Sequence, residues 1–550
     1  MAGPAFTRSH PSPPNRWSLR ARSACAMAVA IAAGLSLAQA AEAQVQVQSL
    51  APPDLFSTGA ARSDLPSDLW RGSSGTLARL VIPELAAHPL TPAAAALARH
   101  VLEVGGNGPD GAGNDPDLAG ARAEALLQLG DLATAATITD GASNLPQLTA
   151  LSRVAAEVAL IAGRDDRACA IGDGLVMGRE GSFWLRLRAY CQARAGQSAP
   201  AQLTLDLSDQ QERRPEFDRL MTALLAGAPG AGTAAAADDA LDFAISRRLG
   251  LDWPAALAAA PASIAVAVAR DPTAPVPARL AAAARAARLG VATPETYAAI
   301  APPPTTLPPA DASGPAGEAA LVALAASTND LTLKESAIIA LLRRAGNGPE
   351  FEALSRLVAP AIGQLMTAHP VLRQPFLFAV AAAAAGDAAS AQAARAQVGH
   401  GGAAPPAADL AILDALTGVV AAPVDGAAAE PLTAASVHAA NAVRSRTAGA
   451  LALLGAYVPL GPEARFEVAD ADIGAGGAPS GRRLAMEQAA EQGRIGDTAL
   501  YVLGTCVEAG AAGPGPAERA LMVRALRLAH LDGDARAFAI EGLVALQARP

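Results

Sequence analysis

The sequence predicts an all-α fold, an α-solenoid in which antiparallel helical hairpins stack into a superhelix. Three observations carry this. Alanine makes up about a quarter of the residues, leucine and arginine are abundant, and only 3% are aromatic. Alanine, leucine and arginine give up little backbone or rotamer freedom in a helix. No sustained alternation of Val, Ile or Thr of the strand type occurs. Finally, Gly130, Gly163 and Gly196 stand 33 residues apart, and each has an alanine five positions later, Ala135, Ala168 and Ala201.

Residues 1–40 read as a secretory signal peptide. Arg16, Arg20 and Arg22 form a basic start, residues 24–38 an apolar core, and Ala38-Gln39-Ala40 and Ala41-Glu42-Ala43 are small-x-small cleavage signals. The apolar run is too short to span a membrane. No later stretch has 18 apolar residues free of charge or proline, so no membrane span is expected in the mature chain. The expected location is the periplasm. The net charge of -9 becomes -13 once the four arginines of 1–40 are removed, which speaks against general nucleic-acid binding.

Residues 41–65 carry Gln, Ser, Pro and Gly without helical periodicity and read as a flexible leader. Pro66-Ser67-Asp68 supplies an N-cap for a first helix holding Leu69, Trp70, Leu77, Leu80 and Val81. A second helix runs from about Thr91 to Val104, with Pro92 in its first turn. The loop 105–117 gathers Asn107, Asp110, Asn114, Asp115 and Asp117 among glycines. Such oxygen-rich loops can hold calcium, but the order does not follow the EF-hand pattern and a closing glutamate is lacking, so a solvated loop is favoured.

The three regular units follow. In each, an apolar helix ends at a glycine that takes the left-handed conformation a helix C-terminus needs. The early alanine of the next helix then permits close approach. Residues 126–136 (LLQLGDLATAA), with Ala123, Ala156 and Ala189 seven residues before the glycines, resemble the tetratricopeptide repeat (TPR) family, whose period is 34. The bulky aromatics of that family's first helix are mostly missing, and no regular proline closes each unit. The resemblance covers 66–225 and implies protein or peptide binding.

Weaker echoes continue. Gly386-Asp387 with Ala379 and Ala391 fits the same template, and Gly250 with Ala255 fits it in part. Gly533-Asp534 lies between two apolar runs, and the pairs Gly250/Gly290, Gly346/Gly386 and Gly493/Gly533 are each 40 apart. Three stretches serve as soft boundaries. A Gly/Ala linker at 226–240 precedes a second repeat segment, 241–398, which contains a proline-rich loop at 301–317. A Gly/Pro-rich linker with one short helix near 407–420 occupies 399–431, and a C-terminal helical segment runs over 432–550.

Cys169 and Cys191 are symmetric about residue 180, inside a predicted turn at 178–182. Antiparallel helices joined there place the two cysteines opposite each other, within reach of a disulfide in an oxidising compartment. Cys506 has no evident partner and reads as a buried structural thiol.

The search for chemistry finds no site. The seven histidines form no metal-ligand pattern. Nucleophile-elbow and phosphate-loop motifs are absent, so no cofactor, metal or catalytic residue is assigned. Asp165-Asp166 and Asp238-Asp239 stand at helix starts and Arg247-Arg248 and Arg343-Arg344 at helix ends, where the helix dipole favours them. Trp70, Phe183, Trp184 and Tyr190 read first as packing anchors, with lining a binding groove as the second role. The expected function is a non-catalytic periplasmic repeat protein that binds an unidentified protein or peptide. The alternative is a peptidoglycan-acting envelope enzyme, with Glu463, Glu467, Asp470 and Asp472 as the nearest source of an acid.

Overall fold

The computed structural model describes residues 54–547, apart from 61–62, 228–233, 301–303, 310–311, 313, 346–347, 369–370, 401–403 and 475–477. The signal peptide and cleavage signals, leader residues 41–53, Gly346 and His369 lie outside the described residues. Within them the regular structure is helical throughout, with one isolated parallel β-bridge between Ser74 and Asp110. No described helix is long and apolar enough to cross a membrane.

The three glycines do what their spacing predicts. Helix Pro116–Gln128 pairs with Leu132–Gly141, Thr149–Ile161 with Asp165–Gly174, and Ser182–Arg194 with Ser198–Gln211. Gly130, Gly163 and Gly196 have φ of +89°, +73° and +77°. At the first turn the N–H groups of Gly130 and Asp131 donate to the carbonyls of Leu127 and Leu126 at 3.0 and 2.9 Å, which satisfies two helix-end carbonyls. Gly386 repeats this arrangement with φ +80°. Ala135, Ala168, Ala201 and Ala391 are fully buried, so a larger side chain at any of them would force the paired helices apart.

Cys169 and Cys191 form a disulfide with Cα atoms 5.8 Å apart, joining helices Asp165–Gly174 and Ser182–Arg194. Cys506 is a buried free thiol, and burial pushes its pKa far up.

Several local expectations are corrected. The first helix spans Gly75–Val81 and is capped by Ser74, whose hydroxyl accepts from the N–H of Leu77; residues 66–73 form turns instead. Between the two apolar runs, Gly533 sits in the first turn of helix Asp532–Ala545, and the left-handed residue is His530, with φ +60°. Part of the proline-rich loop is helical, because helix Gly314–Ser327 begins inside it. Pro53–Pro550 forms one compact unit. Ala236 and Ala237 of the first linker are buried, and the second holds helix Ala407–Ala421.

The leader also ends earlier than expected. Phe56 is fully buried and stacks edge-on against Trp70 at 6.2 Å. Arg122, itself fully buried, donates to the carbonyls of Leu102, Phe56, Thr58 and Val104. A guanidinium can saturate four carbonyls at once, so this one side chain fixes 56–58 against 102–104. With no carboxylate bonded to it, burial lowers its pKa to about 10.

The first and last parts of the unit pack together. Helix Ile495–Ala509 lies against Gly75–Val81 and Pro92–Leu102, and helix Asp532–Ala545 also packs on Pro92–Leu102. The Ser74 N–H donates to Asp497 at 2.8 Å. Glu541 accepts from the Ala93 N–H at 2.8 Å, at the positive end of helix Pro92–Leu102, and from Arg519. Gly496 touches Trp70 so closely that a Cβ there would lie 2.7 Å from the indole ring. The imidazole of His100 bridges Asp534 at 2.9 Å and Asp64 at 2.6 Å. The first and last helices of the unit are therefore joined by packing, hydrogen bonds and an ion pair.

A candidate binding cleft

Two of the hairpin turns line a concavity. Gly130 and Gly163, with the glycine of a later helix end, Gly290, line a cleft of about 1040 Å³. Helices Pro116–Gln128 and Thr149–Ile161 pack on each other, which brings the turns that follow them together, and helix Ala262–Arg270, packed against both, adds residues 266–268 and Arg270 to the lining. The floor is aliphatic, with Leu132, Val158, Ile161, Val266 and Val291. A second cavity of about 550 Å³ shares Arg99 with the first. Its walls come from 85–99, 259–262 and 285–289, with Pro349 and Ala511 beyond.

The ionisable lining is unbalanced. Six arginines (99, 164, 247, 270, 285 and 288) face three aspartates (131, 238 and 271) across the two cavities. Two of the aspartates are occupied locally. Asp131 accepts from the Thr134 N–H as a helix cap, and Asp271 accepts from the Thr273 N–H and hydroxyl. Arg247 pairs with Asp165 at 2.7 Å, and Arg288 lies 4.0 Å from Glu318 and 3.8 Å from Glu350. Arg99 and Arg285 donate to the backbone carbonyls of Leu129 and Ala260. Burial lowers the pKa of both, most strongly opposed at Arg99 by the charge of Asp131. Arg164 and Arg270 are exposed and have no hydrogen-bonded or ion-paired side-chain partner among the described residues.

The aromatics singled out in the sequence do not line this cleft. Trp70 and Tyr190 are fully buried, and Phe183 and Trp184 nearly so. Trp70 sits where the two ends of the unit meet. Tyr190 donates from its hydroxyl to Asp165 at 3.0 Å, Phe183 and Trp184 meet edge-to-face at 5.1 Å, and Arg153 covers Phe183. Their burial fits the packing-anchor reading: in a chain with few rings these large apolar surfaces do more by filling the core. The aromatic that does reach the cleft is Phe243, lying beneath Arg247 at 5.2 Å.

The acidic residues near the C-terminus form an ion-pair cluster. Glu467 accepts from Arg444 and from the Ser436 hydroxyl, Asp470 pairs with the same Arg444, and the Arg444 bond holds the Glu467 pKa below the usual carboxylate range. Carboxylates with raised pKa lie elsewhere. Burial brings Glu157 and Asp242 to about 7 and Glu352 to about 8. All three are buried and none lines either cavity. In loop 105–117, Asp115 caps helix Pro116–Gln128 and pairs with Arg79 at 2.6 Å. The described residues contain no group of three His, Cys, Asp or Glu placed to hold a metal ion.

No protein-family model matches the sequence, no curated protein matches it, and no solved structure matches the fold.

Proposed function

We propose that this chain is an exported, TPR-like helical-repeat protein of the cell envelope that binds another protein or a peptide and does no chemistry of its own. The observation that carries the reading is the convergence of the hairpin turns at Gly130 and Gly163, with the helix-end Gly290, on one cleft of about 1040 Å³. Stacked hairpins bury their helix faces against each other and leave such surfaces for recognition. The Cys169–Cys191 disulfide is compatible with export to a periplasmic space, and the basic start followed by an apolar run supports a signal peptide.

The test is cross-linking in intact cells expressing the tagged full-length chain, followed by fractionation. Recovery in the periplasmic fraction with a protein enriched over an unrelated exported control supports the reading. Recovery in the cytoplasm, or no enriched protein at all, removes it.

A further inference from the structure

We infer that the two cavities meeting at Arg99 form one docking groove for an acidic, aliphatic peptide segment of a partner protein. The inference rests on the peptide-binding reading above and adds the chemistry of the ligand. Its basis is charge complementarity. The whole chain carries a net charge of -9, yet this concavity holds twice as many arginines as aspartates. A cationic recess in an acidic molecule focuses the local field and draws anionic groups to it.

Arg164 and Arg270 both line the first cavity, one on the hairpin turn at Gly163 and the other at the end of helix Ala262–Arg270. Both are exposed, and neither has a side-chain partner among the described residues. A guanidinium so placed takes a carboxylate in a charge-assisted, two-pronged hydrogen bond. Keeping two of them without such a partner in a cleft brings no gain to the fold.

The lining selects among anionic polymers. A glycan needs many fixed hydroxyl and amide partners or an aromatic platform. Thr273 and Gln128 are the hydroxyl and amide side chains of the two cavities, and Phe243 is already covered by Arg247. The floor is instead aliphatic, suited to leucine or valine side chains alternating with the acids along an extended strand. At about 1040 and 550 Å³ in continuation, the groove also exceeds the ~300–1,000 Å³ of a typical small-molecule pocket. The arginine-rich residues 1–40 have the wrong charge to fill it.

The test uses the full-length protein and a fluorescein-labelled peptide of about ten residues, long enough to span roughly 33 Å when extended. The peptide alternates leucine and valine with aspartate and glutamate, and a control carries lysine at each acidic position. Fluorescence anisotropy should show binding of the acidic peptide, weakening as salt rises, and none of the control. The double variant Arg164→Glu/Arg270→Glu should lose about tenfold or more in affinity, while Arg164→Lys/Arg270→Lys keeps most of it. Both pairs are exposed, and circular dichroism checks that each variant folds. Equal binding of the two peptides, or full affinity in the charge-reversed variant, overturns the assignment. So does tighter binding of an oligogalacturonate, which would make the occupant a glycan. A dimer that only the charge-reversed variant loses in sedimentation would make it a second copy. A cross-linked partner that survives charge reversal leaves the general function standing and removes this groove alone.

Discussion

Raising the pH is expected to loosen the junction between the first and last helices, because a charged histidine holds it. His100 lies between Asp534, which is largely buried, and Asp64, whose side chain is 83% exposed. The hydrogen bond to Asp534, aided by Asp64 and opposed by burial, raises the His100 pKa from 6.5 to about 9. At 1.36 kcal/mol per pKa unit this difference corresponds to about 3.4 kcal/mol. The Asp64 half is screened by water, so about 1–2 kcal/mol should remain. The sign follows from linkage: the folded state favours the protonated ring, so the stabilisation is complete below the unfolded pKa of 6.5 and is lost as pH rises through about 9. Urea unfolding of the wild type and His100→Gln at about pH 6, 7.5 and 9.5 measures it. The two proteins should differ by about 1–2 kcal/mol at the lowest pH and converge at the highest. A difference that stays constant with pH, or is absent at pH 6, would refute the clasp.

Other parts of the fold yield shorter tests. Replacing Cys169 and Cys191 by alanine opens a loop with a sequence separation of 22, which should cost about 3 kcal/mol from chain entropy. Spread over about 500 cooperatively unfolding residues, that is roughly 3 °C in Tm; two titratable thiols in the untreated native protein, beyond buried Cys506, would contradict it. Arg122→Met strands four carbonyls in the core and should destabilise by roughly 3 kcal/mol or more in urea; a cost under about 1 kcal/mol would mean that 56–58 is not held there. Gly496→Ala drives a methyl into Trp70 and should cost about 1–3 kcal/mol, and a neutral outcome would show that the ends do not approach this closely.

What could be read in the sequence was local. The turns at Gly130, Gly163, Gly196 and Gly386 were legible because a helix C-terminus needs a left-handed residue whatever surrounds it. The Cys169–Cys191 pairing was legible for a similar reason, since two helices around one turn fix which positions face each other. The leader was misread because Phe56 sits in an aperiodic stretch. Its burial comes from Trp70 and Arg122, and no pattern in 41–65 announces them. Gly533-Asp534 marked the junction between two apolar runs but not its left-handed residue, which is His530.

The sequence by itself determined an all-helical chain, its hairpin turns and its disulfide, because helix propensity, C-capping and adjacent-helix geometry act over a few tens of residues. Tertiary structure alone decided that the ends meet, through Ser74 with Asp497 and His100 with Asp534, partners more than 400 residues apart. It alone also decided that arginines from 99 to 288 line two cavities that share Arg99. An arginine near a helix end has the same sequence signature whether it faces solvent, a carboxylate or a cleft, and only the packing of distant helices distinguishes the three.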